Sequence, residues 1–184
     1  GNGGNITING GTITAKGNLN EDGGGGAGIG GGGYGGDSGN ITINGGSVTA
    51  SSNTSGVYYG GGAGIGGGFM GDAETITING GTVTATGGAC FKYKEGGAGI
   101  GGGADGNGGT VIITGGSVKV TAGYNAATIG AGSNGTDDGT LSNGYKSVYP
   151  RGVYDVFSET DPQEVSYDIP IISGGVTMHY TYTG

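Results

Sequence analysis

Tryptophan is absent from this 184-residue chain, and cysteine, histidine and arginine occur once each, at Cys90, His179 and Arg151. A single thiol excludes a disulfide framework and a cysteine-built zinc site. Three prolines and no strict Gly-X-Y register exclude collagen. No apolar run reaches the roughly 18–20 residues a membrane span needs, so no membrane insertion is expected. Lysine and arginine together number six against 14 acids, a formal charge of −8 that argues against a nucleic-acid partner. No secretory signal or anchor is legible, and the abrupt start at Gly1 reads as a mature or excised fragment.

Glycine is what the chain has in excess: 54 residues, all but seven of them before residue 133. Interior glycine costs a helix about 0.5–1 kcal/mol per residue relative to alanine. Loop-rich β architecture and a packed polyglycine-II-type lattice remain.

A repeated phrase favours the first. NITINGGTITA starts at Asn5, NITINGGSVTA at Asn40, TITINGGTVTA at Thr75 and TVIITGGSVKV at Thr110, each 35 residues after the last. A second phrase, AGIG, follows at Ala27, Ala63 and Ala98, with ATIGAG from Ala127. A fixed period of this size marks stacked units, none able to bury its own apolar face alone. Apolar and hydroxyl residues alternate within each copy, as in Ile6-Thr7-Ile8 and Thr12-Ile13-Thr14-Ala15, which is a strand with one buried face. The Asn-Gly-Gly between the two segments accepts positive φ and predicts a sharp bend. With AGI as a third short strand, each unit becomes one coil of a right-handed parallel β-helix, rising about 4.8 Å per rung. About four coils occupy residues 1–132.

Beyond residue 133 the composition changes: all three prolines, seven of the 14 acids and seven of the 14 aromatics lie there. Val176, Met178, Tyr180 and Tyr182 alternate with polar residues. Solenoids need atypical ends, so residues 133–184 are expected to form a C-terminal β cap.

The surplus residues of each coil fall in two loops. The first covers 16–26, 51–62 and 86–97, and the second 31–37, 67–72 and 102–108. Tyr58, Tyr59, Phe91, Tyr93 and Tyr124 occupy the first-loop set. On a rigid scaffold these rings could stack against sugar faces, or fold down as satellite cores over the glycine. The second set offers Tyr34, Phe69 and Met70. Asn2, Asp37, Asp72 and Asn107 form a 35-residue column, with Glu74 and Asp105 close by in sequence. Calcium takes 6–8 oxygens, so Asp37, Asp72, Glu74 and Asp105 are candidate ligands; the competing reading is Asx side chains capping turns.

Other motifs carry less. GAGIGG at residues 26–31 fits a dinucleotide fingerprint literally, but no amphipathic helix follows it. Thr12-x-Thr14, Ser47-x-Thr49 and Thr82-x-Thr84 resemble the hydroxyl ranks of β-solenoid ice-binding proteins, until Lys119 interrupts them. No catalytic grouping is legible, since the lone His and lone Arg lie in the tail, and no enzyme is expected.

The succession ITI, a GG turn, TVTA and a GI segment resembles the repeats of a bacterial family of secreted parallel β-helix carbohydrate-binding domains. AGIGGG is also similar to glycine-rich surface adhesins of Gram-positive bacteria. The resemblance covers residues 1–132 and implies an extracellular or cell-surface module with calcium as its cofactor and a glycan or cell-surface polysaccharide as its partner. The alternative from another class is a structural stalk or filament subunit that associates end to end.

Overall fold

The computed structural model describes residues 1–18, 24–53 and 59–142, together with the backbone of strands Ser147–Val148, Glu164–Asp168 and His179–Tyr182. It is all-β, a right-handed parallel β-helix, and no helix occurs among the described residues. Three sheets run along it. The first stacks Ile6–Ile8, Ile41–Ile43, Thr75–Ile78, Thr110–Ile113 and Thr140–Ser142 in parallel. The second stacks Thr12–Lys16, Ser47–Ser51, Thr82–Thr86 and Ser117–Thr121. The third is the AGI segment, Ile29–Gly30, Ile65–Gly66, Ile100–Gly101 and Ile129–Gly130.

Register follows the sequence period: Ile6 pairs with Ile41, Ile41 with Ile76, Ile76 with Val111 and Val111 with Leu141. The parallel path therefore continues into Thr140–Ser142, past the point where composition changes. From there the pairing turns antiparallel. Ser147–Val148 folds back on the first sheet, while Glu164–Asp168 and then His179–Tyr182 extend the second. Val165 and Tyr167 stand in backbone register with Val120 and Val118 of the apolar columns.

Those columns are the core. Ile41, Ile43, Ile65, Ile76, Ile78, Ile100, Val83 and Val120 have no exposed surface. Each such side chain contributes roughly 1.5–3 kcal/mol, which offsets the entropy lost in ordering the glycine.

Glycine is required at two places in each coil. The second Gly of the Asn-Gly-Gly bend has φ of +92°, +95°, +91° and +97° at Gly11, Gly46, Gly81 and Gly116. The Gly closing AGIG has φ of +131° to +141° at Gly30, Gly66, Gly101 and Gly130.

The two loops of each coil pack against each other, not on opposite flanks. Phe69 N–H donates to Gly25 O, Ala104 N–H to Gly61 O and Ser133 N–H to Gly96 O, each at 2.9 Å. A second loop is thus bonded to the first loop of the preceding coil. Within the loops glycine backbones bond rung to rung, as in Gly68 N–H to Gly36 O at 2.9 Å and Gly123 N–H to Gly97 O at 2.9 Å. A Cβ at Gly68 would run into Gly32 O, and one at Gly103 into Gly68 O. Glycine packing of this closeness builds a second lobe beside the apolar columns, and the β-helix remains the architecture.

Candidate functional site

The shared lobe brings second-loop and first-loop side chains onto one face. Met70, Asp105 and Asn134 occupy one turn position in successive coils, with φ of +62°, +65° and +62°; Gly35 takes it in the first coil, and Tyr34 just before it has φ of +63°. Bulky residues seldom adopt this left-handed geometry, and Tyr34 and Met70 remain 58% and 50% exposed while doing so. Backbone strain held in place by surrounding structure concentrates at functional positions.

The aromatic rings form two groups rather than one ladder. Tyr34, Tyr59 and Phe69 make a triangle with centroids 5.7–5.9 Å apart, uniting the two loop sets. Of the three, Phe69 is buried, against Gly24 and Gly60, and Tyr59 is half-buried. Packing anchors these two rings, leaving Tyr34 as the surface ring of the group. Tyr58 lies outside the described residues.

The second group stands on a local feature of the third coil. Ala89–Cys90 and Glu95–Gly96 pair antiparallel, so the first loop of the third coil becomes a hairpin. Its tip is Phe91-Lys92-Tyr93-Lys94, all four exposed, with Phe91 at 56% and Tyr93 at 50%. Tyr124 supports it from the fourth coil, edge to face with Phe91 at 5.6 Å. Lys94 Nζ lies 4.7 Å from the Tyr124 centroid and Lys92 Nζ 5.2 Å from that of Tyr93. Asn125 Nδ2 donates to Lys94 O at 2.8 Å, tying the tip to the next rung. Half-buried Tyr124, with Phe91 at its edge and Lys94 over its face, acts as a support. Phe91 and Tyr93 are the exposed rings of this group. Cys90 is buried at the hairpin base.

At that base Glu95 has its pKa raised, first by burial and then by the charge of Asp105, against a hydrogen bond from Asn134 that lowers it. A carboxyl raised on folding adds stability below its unfolded-state pKa, and that stability is lost as pH rises through the folded-state value. Glu95→Gln should flatten this part of the profile. Thermal midpoints of the two proteins, compared across the interval between those two values, should converge toward its acid end. Parallel profiles would remove Glu95 as the source.

The four acids singled out for calcium do not converge. Asp72 N–H donates to Asp37 Oδ1 at 3.0 Å, Asn107 N–H to Asp72 Oδ1 at 2.7 Å and Thr136 N–H to Asn107 Oδ1 at 3.1 Å. The Asx column caps the backbone of each following rung. Asp105 belongs to the separate Met70–Asn134 column and accepts from Asn134 Nδ2 at 3.0 Å. Glu74 is exposed, beyond buried Ala73. Among the described residues no group of three His, Cys, Asp or Glu side chains is placed to hold a metal. This donor set does not fit a calcium ion. Asn9, Asn44 and Asn79 form an amide ladder at 2.8 Å that ends on the Thr114 hydroxyl.

The hydroxyl rank faces outward on the second sheet, where Thr12, Thr14, Ser47, Thr49 and Thr82 are exposed. Lys119 takes the register position after Thr84 and interrupts it.

Residues 6–33, 41–69 and 76–104 each match the family model described as Beta helix repeat. The matched segments begin on the first-sheet strands and run through the AGI strand of the same coil. It is a parallel β-helix repeat protein. No curated protein and no solved structure matches the chain. In this β-helix repeat protein the hairpin at 89–96 falls inside the third matched segment. Lys92 and Lys94 are the site residues that sequence reasoning passed over. Their alternation with Phe91 and Tyr93 was the available signal.

Proposed function

We propose that this β-helix repeat protein is an extracellular carbohydrate-binding or adhesin module, whose ligand rests on Phe91 and Tyr93, with Tyr34 as a second contact on the same face. The observation that carries this reading is the exposure of those three rings, 56%, 50% and 58%, on loops immobilised by glycine packing. Rigid exposed aromatics lose little entropy on binding and present apolar faces that match the C–H face of a sugar ring. The module binds and does not catalyse.

The test is a polysaccharide array with the purified protein, repeated with Phe91→Ala and Tyr93→Ala. Each variant should bind at least about tenfold more weakly, as expected for loss of a stacked aromatic contact. Its thermal midpoint should stay near that of the parent. A large fall in stability with unchanged affinity would make these rings packing elements and end the proposal.

A second reading is a self-assembling structural subunit. It is favoured by the register that every coil repeats, from the first coil's Ile6 against Ile41 onward, since a stack of near-identical rungs can take further rungs. Sedimentation that changes with concentration, and is abolished by substitutions in that coil, would support it.

A further inference from the structure

We propose that the Asn-Gly bends at 9–10, 44–45 and 79–80 are sites of spontaneous modification, where asparagine passes through a cyclic imide to aspartate or isoaspartate. The fold keeps the other described Asn-Gly pairs inert.

The dipeptide occurs six times among the described residues, at 2–3, 9–10, 44–45, 79–80, 107–108 and 134–135. Glycine after asparagine leaves the attacking main-chain nitrogen unhindered, because no Cβ stands beside it. The six pairs share that intrinsic reactivity, and the structure divides them. Gly3 N–H donates to Asp37 O at 2.7 Å, Gly108 N–H to Asp137 O at 2.8 Å and Gly135 N–H to Gly132 O at 3.1 Å. Attack by any of these nitrogens must first break a backbone bond. The N–H groups of Gly10, Gly45 and Gly80 make no hydrogen bond to a described residue. Gly45 and Gly80 have a coil on either side, so the unbonded nitrogen belongs to the bend itself.

The carboxamides are presented alike. Asn9, Asn44 and Asn79 are exposed, so water reaches each of them. Each Oδ1 accepts a ladder bond at 2.8 Å, from Asn44 Nδ2, Asn79 Nδ2 and Thr114 Oγ1 in turn. A donor on a carbonyl oxygen steadies the negative charge that builds there as a nucleophile adds. Such bonds lie near the carbonyl plane, whereas attack comes from a face, so the ladder bonds do not block it.

The step balances with water as the co-reactant. The Gly45 nitrogen bonds to Asn44 Cγ, the Cγ–Nδ2 bond breaks, and ammonia leaves carrying the glycine's proton. Water then opens the imide at either carbonyl. One product is aspartate; the other is isoaspartate, whose main chain runs through the side-chain carbon. In the fourth coil Thr114 takes the ladder position and has no amide to lose.

The full chain, aged in mildly alkaline buffer, should be digested with an acid protease and mapped by mass spectrometry for the unit mass gain. Positions 9, 44 and 79 should convert about tenfold faster than 2, 107 and 134, the scale of one backbone hydrogen bond that need not be broken. Isoaspartate should appear at all three, as an imide requires. In urea the six rates should draw together. Gly45→Ala, whose Cβ would meet only Asn9 O at 3.5 Å, should keep the parent's thermal midpoint. It should slow conversion at position 44 several-fold and leave 9 and 79 unchanged. Equal rates in the folded chain, or conversion led by Asn107 or Asn134, would overturn the proposal. A ranking that survives in urea would also overturn it, because the difference would then belong to local sequence and not to the fold. So would aspartate without isoaspartate, or conversion at position 44 that Gly45→Ala leaves untouched.

Discussion

Gly66→Ala is expected to cost about 3–5 kcal/mol, a large part of the roughly 5–15 kcal/mol by which a domain of ordinary stability stays folded. Two independent penalties meet at this position. Its φ of +139° lies where L side chains are strained, and a Cβ there would run into the carbonyl oxygen of Gly101 on the next rung. That oxygen cannot withdraw, because it accepts the Gly67 N–H at 2.9 Å within the third parallel stack. Relief would require parting two coils. Gly10→Ala is the matched control, since no atom lies within 4 Å of a Cβ there and its backbone is not in the left-handed region. Urea denaturation should find Gly10→Ala near neutral. A Gly66→Ala result within about 1 kcal/mol of that control would mean that the third stack yields far more easily than its hydrogen bonding implies.

The different outcomes for scaffold and site have a physical cause. Ile41, Ile76 and Val111 recur at one interval and every second residue faces inward, so sequence period and structural period coincide. The β-helix was legible for that reason. The loops lack such a code. Glycine at positions 24–26, 60–62 and 67–68 carries no side chain whose periodicity could reveal which backbone it meets. Only the structure places Tyr34 against Tyr59 and Phe69, rings from loops assigned to separate sets. The same silence hid the hairpin at 89–96, where Ala-Cys and Glu-Gly are too short to register as strands. The Asx column is legible as a column from its 35-residue spacing. What spacing could not decide was whether Asp37 and Asp72 turn their oxygens outward or to the next rung's amides, as they do at 3.0 and 2.7 Å. The candidate ring set is divided in the same way: Phe91 and Tyr93 are presented, Tyr59 and Tyr124 are half-buried supports.

Ile76→Ala should be the most damaging truncation in the apolar columns, at about 2–5 kcal/mol. Ile76 has no exposed surface and lies between Ile41 and Val111, which are themselves buried, so the cavity has coils on both sides and cannot collapse. Ile6 is the same residue in the same column, paired with Ile41 on one side and half-exposed. Water already reaches it, so Ile6→Ala should cost about 1 kcal/mol if the first coil stands open in solution. The difference between the two truncations therefore measures what covers that end of the stack. If Ile6→Ala matches Ile76→Ala, and its cost falls as the protein is diluted, a second copy covers the first coil and the self-assembling reading gains the ground that the binding module loses. If the gap holds at every concentration, the first coil contributes nothing to assembly. The proposed binding face, on which Tyr34, Phe91 and Tyr93 are exposed, is then the reading that remains.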